Sequence, residues 1–129
     1  MIGIKMRIHK NEHVAPFDVD GTLILPLTAE NAMHGRKVQV WDSISKKYIS
    51  MVAHEPNIRL LIEEKHRGSL VIVWSRGGYE WAANVIRALD LVSHVDDVYS
   101  KPLAYFDDLD ISEWLKYRVY LSPETRYKR

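Results

Sequence analysis

Two aspartates stand two residues apart in Phe17-Asp18-Val19-Asp20-Gly21-Thr22-Leu23, at the end of a short apolar run. A strand that ends there sends successive side chains to opposite faces, and a turn started at Gly21 bends both acids over one small volume. Two carboxylates crowded in this way need a cation or a proton between them. Phosphoryl transfer uses such a pair: one carboxylate attacks phosphorus, its neighbour moves a proton, and a hard divalent cation neutralises the phosphate.

Downstream residues strengthen that reading by their order. Leu70-Val71-Ile72-Val73-Trp74 is continuously apolar, which predicts a strand buried on both faces, and it ends on Ser75 followed by Arg76-Gly77-Gly78. Lys101 follows in Ser100-Lys101-Pro102, and the apolar run Leu103-Ala104-Tyr105-Phe106 ends on Asp107 and Asp108. Three hydrophobic runs thus each deliver polar residues at the carboxyl end, where ligands bind in open α/β sheets.

In this order the residues resemble the four motifs of the haloacid dehalogenase (HAD) superfamily of phosphatases. The motifs are an Asp-x-Asp-x-Thr loop, a Ser or Thr after the second strand, a Lys, and an acidic pair. Here they read Asp18-Val19-Asp20-Gly21-Thr22, Ser75, Lys101 and Asp107-Asp108, over roughly residues 14–110. The resemblance implies a HAD-like Rossmannoid α/β fold, a parallel sheet flanked by helices, and a magnesium-dependent phosphomonoesterase working through an aspartyl-phosphate. Asp18 is then the nucleophile, and Asp20 protonates the leaving oxygen and later takes a proton from water. An acid rather than Thr at position 20 favours full hydrolysis over a retained phospho-aspartate. Ser75 hydrogen-bonds the transferring phosphoryl group and Lys101 offsets its charge. Thr22, Arg76 and Gly77 support the phosphate, with a plain turn role open for Thr22 and an exposed position open for Arg76. Mg2+ is held by Asp18, the main-chain carbonyl of Asp20 and Asp107, with Asp108 acting directly or through water; which acid of that pair touches the metal stays open.

The elements that must position these groups follow from pattern. The 129 residues, 47% apolar, suit a single domain over 1–129 with its own core. Met1 to Ile8 alternates apolar and charged residues, as a peripheral strand or a lead-in would. Lys37 to Ala53 reads as a β-hairpin with its tip at Asp42 to Lys47. Pro56 and Gly68 bracket a helix; a second helix runs from Tyr79 to about Leu91, starting just beyond Ser75, where its free N–H groups would face a phosphate. Val95 to Tyr99 is a short strand, Asp110 and Glu113 cap a helix through Tyr117, Val119-Tyr120-Leu121 is an edge strand, and the tail from Ser122 frays. Pro16 sits awkwardly in what should be the central strand, because it removes a ladder donor.

Several classes are excluded or unsupported. With no cysteine there is neither a disulfide framework nor a thiolate zinc site, and the net charge of +1 gives no global field toward nucleic acid. The first residues hold no apolar run fit for a signal peptide or membrane span, so a cytoplasmic location is expected. The six histidines lack metal-ligand spacing and read as structural or solvent-facing. Trp74, Trp81 and Trp114 read as core.

Only a hairpin and one helix fit between Thr22 and Leu70, so no cap domain is expected; the hairpin over about 37–53 serves as a flap, with Trp41, Lys46 and Lys47 as its substrate-facing candidates and core packing the favoured alternative for Trp41. An open site suits a large substrate, or a small one enclosed by the hairpin or by a partner subunit of a homo-oligomer. Small size and Lys-Pro followed by Asp-Asp resemble stand-alone members found in bacteriophage genomes. The expected substrate is a (deoxy)nucleotide, with a polynucleotide 3′-phosphate as alternative; Lys116 onward interleaves basic and aromatic residues that could grip single strands, or be a solvated tail. A non-catalytic module binding a phosphorylated ligand or nucleic acid is the alternative from another class.

Overall fold

Apolar runs and turn residues divide the chain into a mixed α/β arrangement, and a computed structural model describes residues 13–115 and 117–121. Strands β1 (Val14–Asp18), β5 (Leu70–Ser75) and β6 (Asp97–Ser100) form a parallel sheet in the order β1-β5-β6. Strands β2 (Ile24–Pro26), β3 (Lys37–Asp42) and β4 (Lys47–Ala53) form an antiparallel sheet in the order β2-β4-β3. Helices α1 (Glu55–His66) and α2 (Tyr79–Ala88) flank the parallel sheet, and a single turn, α3 (Ile111–Trp114), lies near the end. One buried cluster joins both sheets: Ile24, Val38, Val40 and Ala53 from the antiparallel side meet Val71, Val73, Leu61 and Val85. No helix among the described residues is long and apolar enough to cross a membrane.

The hairpin forms where its pattern predicts. Asp42 closes the tip by accepting from the Ile44 N–H (3.1 Å) and the Ser45 hydroxyl (2.7 Å), and Lys46 takes the left-handed conformation (φ 55°) that the turn demands. β2 joins it through the pairing of Ile24 with Ala53. Helix α1 has Pro56 in its first turn and ends before Gly68 (φ 95°), as its brackets require. Its N-cap is His54, 2% exposed, whose Nδ1 accepts from the Asn57 N–H at 3.2 Å.

Other elements differ from expectation for identifiable reasons. Among the described residues β1 lies at the edge of the parallel sheet rather than its centre, which removes the difficulty with Pro16. Leu70 N–H donates to the His13 carbonyl (2.8 Å), so odd-numbered residues of β1 face β5 and the proline nitrogen faces away from β5, the strand's one ladder partner among the described residues. β5 is fully covered on one face only: Val71, Val73 and Ser75 are buried, whereas Leu70, Ile72 and Trp74 are partly open. β6 starts at Asp97 instead of Val95 because the Asp96 carboxylate takes the Val71 N–H (2.8 Å) while pairing with Lys65 (2.7 Å). α2 stops at Ala88, and α3 stops at Trp114, where Leu115 leaves helical geometry. Leu103 to Phe106 forms no strand; Leu103 is 94% and Phe106 97% exposed. Nor do residues 119–121 pair as a strand. Trp114 is 48% exposed and packs edge-on to Tyr105, so it is not core. Met1 to Ile8, Lys116 and the tail from Ser122 lie outside the described residues.

Candidate active site

The carboxyl ends of the three parallel strands bring most of the candidate groups together. Asp18 ends β1 and Ser75 ends β5. Lys101 follows β6, its N–H bonded to the Ser75 carbonyl at 2.8 Å, so the register Ser75 opposite Ser100 carries the lysine to the strand ends. From there its Nζ lies 3.5 Å from Asp18 Oδ1. The other oxygen of Asp18 accepts from the Thr22 hydroxyl at 3.2 Å.

The loop after β1 is wound tightly around one carbonyl. Thr22, Leu23 and Ile24 N–H groups all converge on the Val19 C=O at 3.1, 2.8 and 3.2 Å, and Gly21 supplies the positive φ (82°) that the turn requires. The start of α1 holds this loop from below. Buried Asn57 donates from Nδ2 to the Thr22 carbonyl at 2.9 Å, and His54 N–H donates to the Leu23 carbonyl at 2.9 Å.

Asp20 has a different set of partners. The indole Nε1–H of Trp81 reaches both its oxygens, at 3.1 and 3.2 Å, and the Ser75 hydroxyl approaches at 3.4 Å. Ser75 Oγ itself accepts the Gly77 N–H at 2.9 Å, which leaves its proton free to point at Asp20. A Cβ on Gly77 would come within 3.3 Å of both Ser75 Oγ and the Trp81 ring, so glycine fits the gap between them. Arg76 is exposed beside this turn. The first N–H of α2, on Tyr79, is taken by the Ser100 hydroxyl at 3.1 Å.

Asp107 and Asp108 are not brought to Asp18. Both are exposed, and Asp107 accepts from the Leu109 N–H at 3.1 Å. A hydrogen bond from the Asp108 side chain, and then that N–H, hold the Asp107 carboxyl below the usual range. The reason lies in the connection: a parallel crossover needs about a dozen residues, and the stretch from Lys101 to Asp107 starts with Pro102 and is shorter than that. Among the described residues no group of three or more His, Asp or Glu is placed to hold a metal ion. What is present is a partial hard-oxygen set at Asp18 and Asp20, of the kind magnesium takes.

Trp41, Lys46 and Lys47 sit on the hairpin. Trp41 is 39% exposed and edge-on to Tyr48 at 5.1 Å, and its carbonyl accepts from Asn84 of α2 at 2.9 Å. Asn84 lies one helical turn past Trp81, so the hairpin rests on the helix that also bounds Asp20. Beside Asp18 a groove of about 1170 Å3 runs along β1, lined by Phe17, Trp74, Lys101, Tyr117 and Tyr120 among others.

Sequence reasoning missed Trp81 and Asn57 as site residues. Trp81 has the spacing of a core residue and does pack on the core; only its indole nitrogen betrays the second role. Asn57 lies in the first turn of a helix, where a polar residue ordinarily signals nothing beyond capping. No family model, curated protein or solved structure matches this chain.

Proposed function

We propose that this chain is a magnesium-dependent phosphomonoesterase of HAD type, acting on a nucleotide through an aspartyl-phosphate on Asp18. The observation that carries the proposal is the division of partners at the strand ends: Asp18 lies with Lys101 and Thr22, Asp20 with Ser75 and Trp81. A carboxylate beside an ammonium can attack an anionic phosphate without repelling it, and a second carboxylate outside that pair is free to exchange a proton.

In this scheme Asp18 attacks phosphorus as the bond to the leaving oxygen breaks, and Asp20 gives that oxygen its proton. Asp20 then takes a proton from the water that attacks the aspartyl-phosphate, releasing phosphate and restoring Asp18. Ser75 turns its hydroxyl proton to a phosphoryl oxygen, with Thr22, Arg76 and Gly77 supporting, and Lys101 offsets the charge. Asp18 and the main-chain carbonyl of Asp20 would hold Mg2+, which supplies charge neutralisation on the phosphate; Asp107 or Asp108 joins them only if the exposed stretch from Leu103 to Phe106 folds back. The hairpin takes the place of a cap, and the long groove beside Asp18 favours a polynucleotide 3′-phosphate as the second substrate reading.

The decisive experiment is hydrolysis of an aryl phosphate with and without Mg2+. Activity should require the cation, and Asp18→Asn should lower it by roughly a thousandfold or more with the melting temperature unchanged. Activity within tenfold of wild type in that variant refutes Asp18 as nucleophile.

A further inference from the structure

Trp81 stands on the first turn of α2 with its ring packed against the buried cluster, yet its one polar atom points out of that cluster to Asp20. Asp20 is exposed and sits in the loop beyond β1, so on its own its carboxylate would rotate freely. The indole reaches both of its oxygens, at 3.1 and 3.2 Å, which fixes the direction in which the carboxylate points. Ser75 supplies a weaker second donor at 3.4 Å, and Asp18 shares none of these partners.

The choice of donor matters chemically. An indole carries no charge and donates only. A proton on Asp20 therefore cannot lie between the carboxyl group and Trp81; it must occupy the lone pair turned away from the indole. We infer that Trp81 is a positioning residue for proton transfer: it orients Asp20 so that the acid presents its proton outward, to the leaving oxygen of the phosphate ester. This rests on the phosphomonoesterase reading. In the transfer the Asp20 O–H bond breaks as the leaving oxygen takes the proton, and the resulting carboxylate later accepts a proton from water.

The test uses the full chain with Mg2+ and two monoesters, an aryl phosphate whose leaving group needs no proton and an alkyl phosphate whose leaving group does. Trp81→Phe keeps a ring in the core and removes the N–H. Its kcat/KM should fall by about tenfold or more on the alkyl ester, and by less than about threefold on the aryl ester. In an Asp20→Ala background the same change should add nothing on the alkyl ester. A second measurement needs no change at Trp81: the indole N–H resonance, assigned by its loss in Trp81→Phe, should move upfield in Asp20→Ala. Equal losses on both esters with a lowered melting temperature, additive effects in the Asp20→Ala background, or an unmoved indole resonance would each overturn the inference while leaving the phosphatase intact. A wild-type chain that hydrolyses neither ester, with or without the cation, overturns the phosphatase reading and this inference with it.

Discussion

Asn57→Ala tests whether the candidate loop is held in place from helix α1. Asn57 is 5% exposed and its Nδ2 donates to the Thr22 carbonyl at 2.9 Å, the main contact by which that side chain reaches across 35 residues of sequence. Removing it leaves a part-buried carbonyl without its donor, at a cost of about 1–3 kcal/mol. Unfolding entropy of about 2.1 cal/mol/K per residue gives roughly 0.27 kcal/mol per degree for a chain of this length. The melting temperature should therefore drop by about 4–11 °C. Thr22 also donates to Asp18, so a loosened loop misplaces the nucleophile, and a displacement on the order of 1 Å can cost up to a hundredfold in kcat. Calorimetry and steady-state kinetics on an aryl phosphate read the two effects. Asn57→Asp, which keeps the size and loses the donor, should do at least as much harm. A melting temperature within about 2 °C of wild type in both variants would show that the bond carries no weight, and the argument for a stitched loop would fail.

Gly35→Ala should lower stability by about 3 kcal/mol or more, because a Cβ there would overlap the Ala53 carbonyl oxygen, which cannot rotate away; thermal unfolding within about 3 °C of wild type refutes this. The Asp42 carboxyl is held below its usual range by the Ser45 hydroxyl and then by the Ile44 N–H. With the folded value depressed, its contribution is present above about pH 4 and is lost as pH falls through the folded value; denaturant unfolding between pH 6 and pH 2 should show Asp42→Ala losing less stability on acidification than wild type, and parallel curves would refute it. Trp41→Ala should raise KM for a nucleotide by roughly tenfold while sparing an aryl phosphate; equal losses on both, with a lower melting temperature, would make Trp41 a packing residue.

What could be read in the sequence is what short-range pattern specifies. Asp18 and Ser75 were legible because each follows an apolar run, and Lys101 because it stands just past the short strand expected to end at Tyr99; parallel pairing of these strands puts all three at one edge. The hairpin was legible from alternation around a polar tip. β2 was not: three residues ending in Pro26 make no periodic signal, and only its pairing with β4 creates it. His54 was hidden because imidazole is rare among N-caps, and its role depends on Nδ1 meeting the Asn57 N–H.

Leu103 to Phe106 marks where pattern and structure part, and the physics of strand pairing says why. An apolar tetrapeptide becomes a strand only if a neighbour takes its main-chain bonds, and a parallel neighbour in this sheet would have to be reached by a long return path. The outer edge of β1, unpaired among the described residues, is such a neighbour, and its groove already holds Asp18 and Lys101 at one end. Metal affinity then depends on whether that edge is occupied. If Asp107 or Asp108 serves as a ligand, truncating the apolar anchor with Leu103→Ser and Phe106→Ser should weaken Mg2+ binding, although both residues are almost fully exposed. Isothermal titration with Mg2+ on wild type, the double Ser variant and a variant with Asp107 and Asp108 both changed to Asn decides the matter. Equal affinity in all three would leave Asp18 as the one described carboxylate at the metal, beside the main-chain carbonyl of Asp20, and would remove the acidic pair from the site altogether.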